Sequence, residues 1–291
     1  MSNEVYMKGD ITVVANEMKK LVNNKEMSDI KFMIGPNRKP VYAHRCILST
    51  RCDVFRAMFS DQESKSDKNN KEIPFVLSDI TPDIFLAVME YIYTGCVSLT
   101  GKIAIDVLGS SIEYGLDELR KLCNQYLVEN LSINNACDAM QAAVTYGQDD
   151  LRAESMCYIE ENTQNVFKSK SFHEMSEEAL SVVLQSDRLM MDEPDVIDCV
   201  REWATVNSVV MGKSMSEVAR KVVYHLRIPL LTPEELHALE EETRKDKLLP
   251  VELISFAWKC HALQKGERGN PLTTRRAGTT MRESHKGMDV L

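Results

Sequence analysis

Apolar residues recur at two different periods along this chain, and the change of period divides it. In residues 6–22, Val13, Val14, Met18, Leu21 and Val22 fall near one face of a helix, with Glu17, Lys19 and Lys20 elsewhere. From Ile30 the period drops to two. Ile30, Phe32 and Ile34 face one way and Lys31 and Met33 the other, the mark of a half-buried strand. Gly35-Pro36-Asn37-Arg38 reads as a turn into a second short strand at 41–43, which makes a hairpin. His44 to Ser49 suits a short helix. Asp53 suits the cap of another that carries Val54, Phe55, Met58 and Phe59. Residues 60–72 hold no apolar side chain and read as a solvated loop, and alternation resumes in a third strand with Ile73, Phe75 and Leu77.

Beyond this strand the period is helical. Thr81-Pro82-Asp83 combines an N-cap residue, proline in the first turn and an acid near the positive end of the dipole. Phe85, Val88, Met89 and Ile92 supply the stripe, and Gly95 ends it. Ala104, Leu108 and Ile112 give one further helix, and Leu116, Leu119, Leu122, Cys123 and Tyr126 another, joined at Gly115. After residue 130 no strand pattern remains. Helices are expected from Ser132 to Gly147 and at 149–161, 177–185, 194–206 and 215–225. Others follow from Thr232-Pro233-Glu234-Glu235 and, last, near 250–263. The expected fold is mainly α with a small β-sheet, an α+β part followed by an all-α part.

From Lys265 the pattern collapses into a Gly-, Thr- and Arg-rich stretch, expected to be a disordered tail over 264–291. It holds six Lys/Arg against three Asp/Glu, although the whole chain carries a net charge of −9. That asymmetry marks either a plain tail or a contact segment. The acidic balance disfavours direct nucleic-acid binding. No stretch reaches the length of a membrane span, and the region after Met1 lacks a signal-peptide run, so a cytoplasmic protein, with the nucleus also open, is expected.

Little in the sequence points to catalysis. There is no phosphate loop, dinucleotide fingerprint, zincin helix or nucleophile elbow. The eight cysteines include no Cys-x-x-Cys pair and read as reduced core thiols, so no metal and no cofactor are expected. His173, His237 and His285 lie in polar stretches without metal spacing. His44 stands where a strand turns into a helix. It reads as a core histidine bonding nearby backbone, and so fixing that turn, rather than as a catalytic group. Asp29 precedes an apolar strand and is either a turn or cap residue, or a charge that needs a partner if buried.

Four blocks in order carry a family resemblance: Ser28-Asp29-Ile30, Tyr42-Ala43-His44-Arg45-Cys46-Ile47-Leu48, Phe55-Arg56-Ala57-Met58-Phe59, and Phe85 through Met89 to Tyr91-Ile92-Tyr93-Thr94-Gly95. Together they resemble the BTB/POZ domain. Asp187-Arg188-Leu189, Glu193 to Trp203, and Arg227-Ile228-Pro229-Leu230-Leu231-Thr232-Pro233-Glu234-Glu235-Leu236 are similar to the BACK domain that often follows it. The resemblance implies a dimerisation helix at 1–22, a BTB/POZ core at 23–130 and a BACK helical domain at 131–263.

It also implies a two-fold homodimer with Val13, Val14, Met18 and Leu21 at the interface, joined by Asp29 and Arg45 as a charged pair. Many relatives of this type are adaptors of cullin-RING ubiquitin ligases, which implies a cullin scaffold as partner and Phe59, Glu63 and Thr81 as its contacts. The family's hydrophobic-x-Glu cullin element aligns here with Glu63-Ser64-Lys65, and its hydrophobic and acidic positions are not matched. No Kelch-like repeat, MATH domain or zinc finger is present. The expected function is a non-catalytic protein–protein interaction adaptor, with an unidentified protein partner on the BACK domain or the tail. The alternative is a dimeric scaffold or transcription-related cofactor outside ubiquitin transfer.

Overall fold

The computed structural model describes residues 9–65, 74–266, 269–283 and 285, without the side chains of 62–65. The chain forms two compact units, 1–130 and 131–291.

The first unit opens with α1 (Ile11–Lys19), capped by Asp10, whose carboxylate accepts the Thr12 N–H at 2.8 Å. Strands β1 (Ile30–Ile34) and β2 (Lys39–Ala43) pair antiparallel, with Phe32 opposite Val41. Gly35 takes the left-handed conformation that the connecting turn needs, and Arg38 N–H closes on Gly35 O at 3.0 Å. Helices α2 (Arg45–Arg51) and α3 (Asp53–Lys65) carry the chain over to β3 (Phe75–Leu77). β3 lies on the other side of β1 and runs parallel to it, so the order is β2-β1-β3. A parallel pair needs such a crossover, and the two helices supply it.

The alternation of β1 drives Phe32 into the centre. Its ring lies 5.7 Å from Phe55, 6.4 Å from Phe59, 5.8 Å from Phe75 and 5.2 Å from Phe85. Burying each such ring contributes about 1.5–3 kcal/mol, so this aromatic knot holds β1 and β3 to the helices. Helix α4 (Pro82–Thr94) is buried along most of its length and ends at Gly95 with φ +74°. α5 (Ala104–Glu113) and α6 (Asp117–Glu129) complete the unit, joined at Gly115.

One expectation is corrected here. Residues 60–65 do not start a loop; they extend α3. A helical end in water needs no apolar side chain, and Gln and Glu are good helix formers. The remainder of that stretch, 66–73, including Ile73, lies outside the described residues.

The second unit is all-helical among the described residues. It runs through α7 (Ala136–Tyr146), α8 (Asp149–Glu161), α9 (Thr163–Val166), α10 (Lys170–His173) and α11 (Glu177–Leu184). Next come α12 (Glu193–Met211), α13 (Met215–Val218), α14 (Pro233–Asp246) and α15 (Val251–Leu263). The helix expected at 215–225 is broken into α13 and a 3₁₀ turn at Val222–His225. Thr232 and Glu235 cap the start of α14 reciprocally. Trp203 of α12 is buried in the core, and its indole N–H donates to Met175 O at 2.9 Å.

The disordered tail expected over 264–291 is corrected in part; 267–268, 284 and 286–291 lie outside the described residues. After a 3₁₀ turn at Pro271–Thr273, the described residues up to 283, and 285, take defined places against this unit. The polar composition was read correctly. What holds the segment is charge pairing with Glu193 and Asp192, 83 and 90 positions upstream, together with backbone bonds, and composition reports neither.

Candidate interaction sites

On the first unit, α1 packs along α4 and is tied there by Lys19 Nζ to Glu90 Oε1 at 2.6 Å. It buries no residue of its own. Ile11 is 69% exposed, Val13 56% and Val14 61%, whereas Met18 and Leu21 are half-buried. The sequence-derived row splits by position and by depth: Val13, Val14 and Met18 lie on α1, whereas Leu21 falls in the turn after it. Val13 and Val14 face outward, and Met18 and Leu21 sit closer to the body of the unit. Exposed apolar residues gathered on one helix form the kind of surface that partners cover.

Asp29 and Arg45 do meet, though not as a charge pair. Asp29 is exposed, and its carboxylate accepts the backbone N–H of Arg45 at 2.7 Å, capping the first turn of α2. The Arg45 guanidinium instead lies 4.9 Å from the centre of the Phe59 ring. Among the described residues no ion pair joins the Asp29 and Arg45 side chains. The carboxylate thus answers one unsatisfied amide of the first turn of α2 from a position before β1, while His44 stands next to the helix.

The candidate cullin contacts separate in the same way. Phe59 is only 4% exposed and packs on Phe32, Phe55 and Phe75, so it is a core residue and offers no surface of its own. Glu63 belongs to the last turn of α3, and its side chain lies outside the described residues. Thr81 is exposed at the start of α4. His44 is buried and bonds the Tyr93 hydroxyl rather than nearby backbone.

On the second unit the structure gathers a cluster that the sequence reading did not single out as a site. Arg276 is 3% exposed and fills a socket. Its Nε donates to Glu193 Oε2 at 3.0 Å, Nη1 to the carbonyls of Leu184 and Ser186 at 2.6 Å each, and Nη2 to His225 O at 2.9 Å. Glu193 is itself buried, and its other oxygen accepts Arg227 N–H at 2.6 Å. Burial works against the Arg276 charge and lowers its pKa, while Glu193 supports it.

Arg282 grips both oxygens of Asp192, at 3.1 and 3.0 Å, and reaches Glu235 at 2.9 Å. Burial disfavours the Asp192 carboxylate, but hydrogen bonds from Arg282, Thr280 and Glu193 N–H outweigh it and hold the group below its ordinary value. Arg227 pairs with Asp187 and reaches Thr274 O at 2.8 Å. His285, expected to be one of the uninvolved polar histidines, is buried with Nε2 2.7 Å from Leu230 O. The available signal was a basic segment on an acidic chain, set against the acids at 187, 192 and 193.

Among the described residues, no group of three or more His, Cys, Asp or Glu side chains is placed to hold a metal ion, and no helix is long and apolar enough to cross a membrane. All eight cysteines are free thiols. Burial pushes Cys123 and Cys137 up to about 12, which makes them poor nucleophiles.

Comparison with known proteins agrees with this architecture. Residues 18–131 match the model of the BTB/POZ domain, and residues 136–241 match that of BACK, described as BTB And C-terminal Kelch. The chain is 44% identical to human BTB/POZ domain-containing protein 19, over 94% of this chain and 93% of that protein. It is 43% identical to the Bos taurus protein of the same name, over 97% and 96%. BTB/POZ domain-containing protein 9 of Drosophila melanogaster is 29% identical over 76% of this chain and 29% of its own length. Among solved structures, the BTB domain of zebrafish PATZ1 aligns at TM-score 0.33 and 15% identity, covering 43% of this chain and all of that one.

Proposed function

The chain belongs to the BTB/POZ family, with a BACK domain following, and from that premise we propose that it is a non-catalytic interaction adaptor that pairs with a second copy of itself through its first unit. The observation that carries the pairing is the exposed apolar row on α1. Ile11, Val13 and Val14 stand in water on a helix that α4 already holds in place. A second copy that covered them would remove that surface from solvent.

Light scattering of the purified chain tests this. The pair has a mass of about 66 kDa, twice 33.1 kDa. Val13→Asp combined with Val14→Asp shifts the mass to that of one chain without changing the circular dichroism, because neither side chain is buried. A wild-type mass of one chain at every concentration overturns the pairing.

In its finer form the proposal makes the chain a substrate adaptor of a cullin-RING ubiquitin ligase. The family resemblance supports this, as does the exposure of Thr81 at the start of α4. Phe59 would act only by shaping the helix above it. Mixing the chain with the N-terminal domain of a cullin gives a complex that Thr81→Arg weakens. No complex at micromolar concentration leaves the scaffold or transcription-related cofactor reading in its place. We place its work in the cytoplasm and nucleus, where eight free thiols stay reduced. Imaging of a tagged chain checks this.

A further inference from the structure

We propose that the second unit is a receptor for an arginine–x–glycine peptide, a site that the chain fills with its own residues 274–283 and that a partner protein presenting the same pattern fills in exchange. It rests on the adaptor reading only in supplying a docking site for a partner.

Three features define the ligand. The first is the Arg276 socket, with its buried Glu193 carboxylate and three carbonyls. Four acceptors at different angles match the planar fork of a guanidinium; an ammonium, with three donors at one point, cannot reach them together. The second is a backbone strap. Ala277 N–H donates to Asp187 O at 2.7 Å and Gly278 N–H to Leu189 O at 3.0 Å. A Cβ added at Gly278 would run into the backbone of Met190 and Met191, so glycine is required two positions after the arginine. The third is the clasp of Arg282 on Asp192 and Glu235, six positions after the first arginine. The recognised pattern is Arg-x-Gly-x-x-x-Arg in an extended segment.

The same features explain why this segment behaves as a ligand. The main apolar cluster of the unit runs from Ala136 to Ala257, and among the described residues it takes nothing from 269 onward. The tail is thus held by hydrogen bonds and charges and adds no side chain of its own to that apolar cluster. Its departure strands the buried Glu193 carboxylate and the carbonyls of Leu184 and Ser186, and a vacant socket is costly. Exchange of one arginine peptide for another is far cheaper than emptiness. Tethering keeps the tail at an effective concentration of roughly millimolar, so a partner competes only when the tail is loosened.

The test uses the full chain with a protease site inserted between Gln264 and Lys265, both exposed. A fluorescent peptide of residues 274–283 is added before and after cleavage, and binding is read by anisotropy. The expected result is weak binding to the intact chain and binding tighter by on the order of a hundredfold once the tail is cut and diluted. Peptides carrying Arg276→Lys or Gly278→Val should bind at least tenfold more weakly. In the uncut chain, hydrogen exchange at Ala277 and Gly278 should outpace that of the α12 core.

A cut chain that stays folded yet takes up no peptide overturns the proposal, as does equal binding of the Arg276→Lys peptide. A cut chain that unfolds as the tail leaves also overturns it, because the tail is then part of the fold. None of these readouts depends on pairing or on cullin, so this inference and the adaptor proposal fail separately.

Discussion

The Tyr93 hydroxyl accepts the backbone N–H of His44 at 2.9 Å and stands 3.0 Å from Nδ1 of the same residue. One oxygen of α4 thus serves both polar groups at the corner where β2 becomes α2. Burial first, with Asp29 and Cys46 adding to it, pushes the phenol up to about 12, so it keeps its proton at neutral pH. That oxygen therefore answers two buried polar groups of one residue at once. Tyr93→Phe removes the acceptor for a buried amide and is expected to cost about 1–3 kcal/mol. Denaturant unfolding followed by far-UV circular dichroism checks it. A midpoint unchanged from wild type means that water reaches the corner.

Asp29 provides a second test on the same unit. Its carboxylate caps α2 through the Arg45 amide. Asp29→Asn keeps an acceptor oxygen, whereas Asp29→Ala loses it. The alanine variant should lose about 0.5–2 kcal/mol and the asparagine variant much less. Neither should change the mass seen by light scattering if capping is the whole role. A switch to single chains in Asp29→Asn would put Asp29 on the pairing surface.

The buried pair of Arg276 and Glu193 sets a larger stake. Arg276→Met leaves the Glu193 carboxylate buried, with Arg227 N–H its remaining donor. Stranding a buried charge costs about 3–5 kcal/mol, whereas removing both charges together costs much less. The variants Arg276→Met, Glu193→Met and the double form a cycle. Trp203 and Trp258, both in the second unit, report unfolding by fluorescence. A coupling near zero in that cycle would sink the pairing.

These tests fall where local pattern is silent. The stripes of α4, α5 and α6 and the alternation of β1 follow from burial on one face, which local spacing records. Phe55 and Phe59, four apart, were legible as core for that reason. How fully the Phe59 ring itself is closed off inside the core, at 4% exposure, local spacing did not report. The tail was illegible because its anchors are charges. Arg276 finds Glu193 83 residues away, and nothing near either residue reports the other. The cap by Asp29 was among the readings left open, since a carboxylate ahead of a strand does not reveal which amide it will meet.

The socket also carries a pH dependence. His225 lends its carbonyl to Arg276. Burial first, and then the Arg276 charge, hold its imidazole below the ordinary 6.5. A histidine depressed in the folded state takes its proton more readily when unfolded. Its contribution is therefore complete above pH 6.5 and declines as pH falls from there. His261 is lowered too, by burial and with His285 adding to it, and acts in the same direction. Asp192 follows at lower pH. Depressed from 3.8, it contributes above that value and loses its share as pH falls through its folded pKa. Tryptophan-detected thermal midpoints should be highest at neutral pH, fall in a first step below 6.5 and fall again below 3.8. His225→Gln should shrink the first step, leaving the share of His261, and spare the second. Asp192→Asn should do the reverse, because the amide cannot attract Arg282 as a carboxylate does. A first step of unchanged size in His225→Gln would show that the proton binds elsewhere.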